Sequence, residues 1–201
     1  MFSQLPLLFS AVMRITSGNM KGRVLDCKIQ GSLRPSLEKH RQALFNMLGN
    51  CFEGVRVLDL CSGTGIIGFE AVSRGAEFVL CVEKDHRFAE AIRKNAERFK
   101  IPGTQMQVLS QPVERVLSSL KCHPFDLIYL DPPFFPTENT TSLYCTCARM
   151  IRENNLLSPN GFLVTEFHVT DPVDLQPLGF DQDDDRVFGA VGLRFWKSHS
   201  P

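Results

Sequence analysis

Val55-Arg56-Val57-Leu58-Asp59-Leu60-Cys61-Ser62-Gly63-Thr64-Gly65-Ile66-Ile67-Gly68 decides how this 201-residue chain folds. Its first six residues read as a buried strand. The glycines end that run, and Phe69-Glu70-Ala71-Val72-Ser73-Arg74 then continues as a helix. Gly63, Gly65 and Gly68 fit the fingerprint G-x-G-x-x-G, whose glycines let the backbone approach a ligand closely. The fingerprint also asks for an acid at the end of the next strand, where it binds ribose hydroxyls. Phe78-Val79-Leu80-Cys81-Val82-Glu83 supplies one, with Glu83 lying 18 residues after Gly65. A cofactor containing adenosine is therefore expected on Cys61, Ser62, Gly63, Thr64, Gly65, Glu83 and Lys84. The competing reading is a tight turn without a ligand. On the glycines alone, an NAD enzyme competes as well.

From Val55 onward the chain alternates strand and helix. Strands are predicted at 55–60, 78–83, 105–109, 125–130 and 161–167, and helices at 65–74, 86–99, 113–120 and 141–154. Such alternation implies an α/β fold with a parallel sheet covered on both faces. Two last strands are predicted near 176–180 and 187–197. Upstream, residues 13–32 read as short strands with a turn at Gly18 to Gly22, and Ser36 caps a helix running to about Leu48.

Asp131-Pro132-Pro133-Phe134 ends the fourth predicted strand, where open α/β sheets bind their ligands. An acid and nearby carbonyls accept hydrogen bonds from an exocyclic amine. The prolines fix φ and hold the loop in one shape. The aromatic ring offers a face for a flat base. The arrangement suits the amino group of a purine or pyrimidine, and its bland alternative is a Pro-Pro loop with an anchoring Phe.

Asp59 directly precedes the glycine loop, and in this the segment resembles the first motif of S-adenosylmethionine (SAM) dependent methyltransferases. Asp-Pro-Pro-Phe is similar to the fourth motif of enzymes that methylate amino groups of adenine or guanine. The resemblance becomes specific in Met13-Arg14-Ile15-Thr16-Ser17-Gly18-Asn19-Met20-Lys21-Gly22-Arg23 and in Leu33-Arg34-Pro35-Ser36 through Arg41-Gln42-Ala43-Leu44-Phe45-Asn46. These resemble the opening of the bacterial 16S rRNA guanine-N2 methyltransferases of the RsmD type. The end, Gly189 to Lys197, resembles that family's closing strand, so the likeness runs from about Met13 to Lys197. Departures occur at Ser36-Leu37, Glu38-Lys39 and Gln42.

The resemblance implies a Rossmann-like class I methyltransferase fold. Its sheet is seven-stranded and mostly parallel with an antiparallel C-terminal edge, preceded by a small hairpin and helix. It implies SAM as cofactor, held also by Asp59, Asp131 and, beside the adenine, Gln111. The substrate would be a guanine of 16S rRNA in the small ribosomal subunit or an assembly intermediate. Asp131, Pro132, Pro133 and Phe134 would carry the chemistry. Adenine-N6 methylation and a non-catalytic assembly factor on the same scaffold remain open alternatives.

Charge distribution fits an RNA partner despite a formal net charge of zero. Residues 1–50 hold seven Lys or Arg against Asp26 and Glu38, a balance of +5, whereas the rest carries −5. Arg14, Lys21, Arg23, Arg34, Lys39 and Arg41 are therefore the candidate phosphate contacts. The expected organisation is a tail over 1–12, a basic RNA-binding extension over 13–50 and a methyltransferase domain over 51–201. The tail is a possible start-site extension. Its competing reading is an ordinary poorly ordered tail.

Seven cysteines without a C-x-x-C pair, with scattered histidines, argue against a disulfide framework or a zinc site. Cys145 and Cys147 read as buried thiols on a helix. Asp181, Asp183, Asp184 and Asp185 lack calcium-loop spacing and read as a solvated acidic turn. Glu166 reads as a solvated strand end, with a site role as the alternative. The expectation is a cytoplasmic monomer without metal or membrane span.

Overall fold

The computed structural model describes residues 13–27, 38–121, 123–132 and 139–198. In chain order the elements are α1 (Glu38–Leu48), β1 (Arg56–Leu60), α2 (Ile66–Ser73), β2 (Phe78–Val82), α3 (His86–Arg98), β3 (Met106–Leu109) and α4 (Val113–Ser119). They continue with β4 (Phe125–Leu130), α5 (Asn139–Glu153), β5 (Leu157–His168), a 3-10 turn (Gln176–Leu178), β6 (Phe180–Phe188) and β7 (Val191–Ser198). The seven strands form one sheet ordered β3-β2-β1-β4-β5-β7-β6. The first five strands are parallel, and β7 pairs antiparallel with both β5 and β6. Strand order reverses between β1 and β4, so their carboxyl ends flank the crevice where such sheets bind ligands.

The period-two alternation sorts side chains onto two faces. Leu58, Leu60, Leu80, Val82, Ile128 and Leu130 pack with α4 and α5. Val57, Val79, Cys81, Leu127 and Tyr129 face α1, α2 and α3. Met13, Ile15, Met20 and Leu25 of the N-terminal segment join this second core. The extension is thus packed onto the sheet's own core. Burying an apolar side chain contributes about 1.5–3 kcal/mol, so these four residues hold it firmly.

The N-terminal hairpin is smaller than expected. Arg14 and Val24 form one isolated antiparallel bridge. Ile15 N–H donates to Arg23 at 2.9 Å, and Leu25 N–H to Met13 at 2.8 Å. Its turn is pressed against the end of α2. A side chain at Gly18, where φ is +80°, would collide with the Ser73 carbonyl. Ser36 lies outside the described residues.

The C-terminal edge differs from the sequence expectation. Residues 176–178 form a single 3-10 turn containing Pro177, which has no N–H to give a ladder. The acidic run is no turn. It belongs to edge strand β6, where opposite charges on β7 hold it. Lys197 Nζ lies 2.6 Å from Asp183, and Arg194 lies 3.7 Å from Asp185. Acids on an exposed edge also discourage pairing with another chain. Cys147 is buried on α5, whereas Cys145 is half-buried.

Candidate active site

Leaving β1, the backbone turns through Cys61 at φ 60°, Gly63 at 52° and Gly65 at 74°. Left-handed conformations favour glycine, and the N-terminus of α2 follows directly at Ile66. Ser62 anchors the turn. Its N–H donates to the Val82 carbonyl at 3.0 Å, and its hydroxyl donates to the Asp59 carbonyl at 2.7 Å. Gly68 meets the fingerprint's packing demand, because a Cβ there would stand 2.8 Å from the Cys81 sulfur.

Glu83 ties this loop to the next strand. One carboxylate oxygen accepts the Gly63 N–H at 2.8 Å, and the other accepts the Asp85 N–H at 2.8 Å. Each oxygen retains a further acceptor position, which suits a vicinal diol. Thr64 is buried within the loop.

Asp59 is fully enclosed beneath the glycine loop. Burial pushes its carboxyl up to about 7, opposed by the Gly68 N–H and abetted by the Glu83 charge. Through that Gly68 contact it reaches the first turn of α2. Asp59 faces Cys81 on β2 and Tyr129 on β4 across the register. Burial also raises the thiols of Cys61 and Cys81, keeping both protonated at neutral pH.

Asp131 stands just past β4, its N–H directed at the Leu60 carbonyl at 3.4 Å. Removal from water raises its carboxyl well above the usual range, and the charges of Glu166 and Asp59 raise it further. Pro132 is buried beside it. Pro133 and Phe134 lie outside the described residues, as does Arg34.

Glu166 corrects the reading of a solvated strand end. Only 5% exposed, it accepts the Tyr129 hydroxyl at 2.5 Å. Tyr144 donates its hydroxyl to the Glu166 carbonyl. Burial raises the Glu166 carboxyl, and the Tyr129 bond partly offsets this. The sequence reading missed Tyr129 and Tyr144 altogether. Strand alternation was the available signal, since Tyr129 and Asp131 share one face.

Arg41 is a second correction. It is buried on α1, with Nε 3.6 Å from the Glu70 carboxylate, and it donates to the Arg14 carbonyl at 3.1 Å. Glu70 also receives Arg74, and the Thr16 N–H donates to it at 2.9 Å. Arg41 therefore fastens the extension to α2 and is turned away from any phosphate. Arg14, Lys21, Arg23 and Lys39 are exposed as an RNA contact would require. Lys84 is exposed beside Glu83, and Gln111 is half-buried after β3.

The structure thus gathers Asp59, Cys61, Ser62, Gly63, Thr64, Gly65, Glu83 and Asp131 at the carboxyl ends of β1, β2 and β4. Four carboxyl groups (Asp59, Glu83, Asp131, Glu166) converge there. Burial holds three of them, Asp59, Asp131 and Glu166, above the usual carboxylate range. Among the described residues no group is arranged to hold a metal, and no helix is long and apolar enough to cross a membrane.

Comparison with known proteins agrees with this geometry. A Bacillus subtilis protein provisionally described as an rRNA methyltransferase is 35% identical over 77% of this chain and 82% of its own length. The Haemophilus influenzae ribosomal RNA small subunit methyltransferase D is 31% identical over 92% of this chain and 93% of its own. A solved Haemophilus influenzae structure, provisionally described as a methylase, superposes with a TM-score of 0.77 at 29% identity, covering 94% of this chain and 99% of that one. The strand order and these neighbours establish a class I methyltransferase fold. A family model described as conserved hypothetical protein 95 matches residues 13–197, and the chain belongs to that family, the RsmD type of methyltransferases.

Proposed function

We propose that this protein transfers a methyl group from SAM to the exocyclic N2 of a guanine in 16S rRNA. The observation that carries the reading is the meeting of the Glu83-tethered glycine loop with Asp131 across the β1–β4 crevice. The relatives named for small-subunit rRNA methylation support the substrate class. Such a substrate places the reaction in the cytoplasm.

SAM supplies an electrophilic methyl on a positive sulfonium that leaves as a neutral thioether. Glu83 would accept the ribose hydroxyls, and the loop from Cys61 to Gly65 would border the amino-acid end. Gln111, following β3, would reach toward the adenine.

Guanine N2 is a weak nucleophile because its lone pair is delocalised into the ring. Asp131 would accept one N2 hydrogen, and a carbonyl of the Pro132-Pro133 turn would accept the other. These bonds localise the lone pair on nitrogen and hold it in line for transfer. Much of the acceleration then comes from orientation, which is worth up to about 7–11 kcal/mol in well-aligned intramolecular reactions. The base must leave its helix or already stand in a loop, and Phe134 would stack on it.

The test is transfer of labelled methyl from SAM to 30S subunits isolated from cells lacking the endogenous guanine-N2 enzyme, followed by nucleoside analysis. N2-methylguanosine is the expected product. Label in N6-methyladenosine would overturn the substrate, and absence of label despite SAM binding would favour the assembly-factor alternative.

A further inference from the structure

We propose that the seam between the N-terminal turn and the end of α3 is a second RNA contact, a cleft for the phosphodiester backbone remote from the catalytic crevice. The inference rests on the RNA-methyltransferase reading above and extends it to residues outside the basic N-terminal segment. Arg23, Val24, Arg98, Phe99 and Lys100 line a cleft of about 530 Å³. A neighbouring hollow of about 230 Å³ shares Arg23, Phe99 and Lys100 and adds the polar side chains of Asn19 and Gln105. No acidic side chain lines either.

The walls are built rigidly. Arg98 donates to the Val24 carbonyl and, at 2.6 Å, to Asn95. Asn95 in turn exchanges hydrogen bonds of 2.9 and 3.0 Å with the Asp26 backbone. Phe99 lies beneath two guanidinium groups, 5.4 Å from Arg23 and 4.7 Å from Arg98. The Lys100 ammonium has no hydrogen bond or ion pair among the described residues. Cations in a last helical turn commonly offset the helix dipole. That accounts for Arg98 alone, since Arg23 comes from another segment and Lys100 follows the helix.

The position explains the need. α3 runs opposite to the strands, so its 13 residues carry the cleft about 20 Å from the carboxyl ends. Among the described residues the crevice is lined by carboxyl groups rather than by a cluster of cations. Affinity for a polyanion must therefore be gathered elsewhere on the surface, while the crevice selects the base. A structured RNA reaches both places, and a free nucleotide reaches one.

The experiment measures binding of full-length 16S rRNA to the intact protein as a function of KCl concentration, alongside SAM affinity and methyl transfer. Arg98→Gln with Lys100→Gln is compared with Lys100→Gln alone, which disturbs no contact of the fold. Each lost phosphate contact should reduce the slope of log Kd against log salt by about 0.7–0.9. The single variant should show one such decrement and the double variant two, with Kd raised on the order of tenfold for the pair and SAM affinity unchanged. A Kd and slope within error of wild type in both variants, with methyl transfer intact, would overturn the cleft alone. A wild-type protein that neither binds nor methylates the RNA would overturn both the cleft and the proposed function.

Discussion

The Glu83 carboxylate holds the Gly63 N–H at 2.8 Å across 20 residues of sequence, so one acid shapes the glycine loop and faces the cofactor crevice together. Hydrogen bonds to a charged group contribute about 1.5–3 kcal/mol each. Glu83→Ala removes the acceptor from Gly63 and Asp85 and from any bound diol. SAM affinity measured by calorimetry should fall on the order of a hundredfold. An affinity within threefold of wild type would remove Glu83 from the cofactor site.

The charge of Glu166 adds to desolvation in raising the Asp131 carboxyl. The Asp131 carboxylate is the form that accepts the amine hydrogen, so activity should fall as pH drops through its raised value. Glu166→Gln removes a neighbouring negative charge and lowers the Asp131 value, moving the acid limb of the rate profile to lower pH. Thermal stability alone would not produce that shift. An unchanged limb would show that Glu166 is only a packing residue for Tyr129.

Asp59 offers a stability test with a definite sign. Its folded value of about 7 lies above the ordinary 3.8, so the folded state binds its proton more tightly. Stability is therefore present at low pH and declines as pH rises from about 4 toward 7. Asp59→Asn keeps an oxygen acceptor for Gly68 without the charge. It should raise the unfolding midpoint at pH 8, by at most about 4 kcal/mol in stability, and leave it nearly unchanged at pH 4. A lower midpoint at pH 8 would mean that the ionised carboxylate is stabilised by the fold.

Arg41 should act on stability. Its removal leaves Glu70 with one cation fewer inside the protein, and breaking a buried ion pair costs about 3–5 kcal/mol. Arg74 remains beside Glu70, so Arg41→Ala should fall toward the low end. Thermal unfolding checks this. An unchanged midpoint combined with weaker RNA binding would restore Arg41 to the RNA surface.

These corrections show where sequence patterns stop. The strand–glycine loop–strand–acid order was legible because each residue falls at a strand end that the alternating pattern already marks. Arg41 was readable in part, since 41, 44 and 45 share a helical face and Leu44 and Phe45 are buried. Its charge nevertheless suggested the surface, and the partner Glu70 lies on another element. Glu166 was harder, because an acid at a strand end reads the same whether exposed or enclosed. Its burial depends on Tyr129 and Tyr144 arriving from β4 and α5. The acidic run at 181–185 resembled a turn because the cations that steady it, Arg194 and Lys197, lie on the following strand.

The central claim is that Asp131 acts chiefly on the amine, with any contact to the cofactor secondary. Asp131→Ala with 30S substrate, measured by single-turnover transfer at saturating SAM, tests it most directly. The account expects turnover to fall by more than about a hundredfold, equivalent to about 2.7 kcal/mol, while SAM affinity stays within threefold. Retention of more than about a tenth of the activity, a loss of only about 1.4 kcal/mol, would contradict the assigned role.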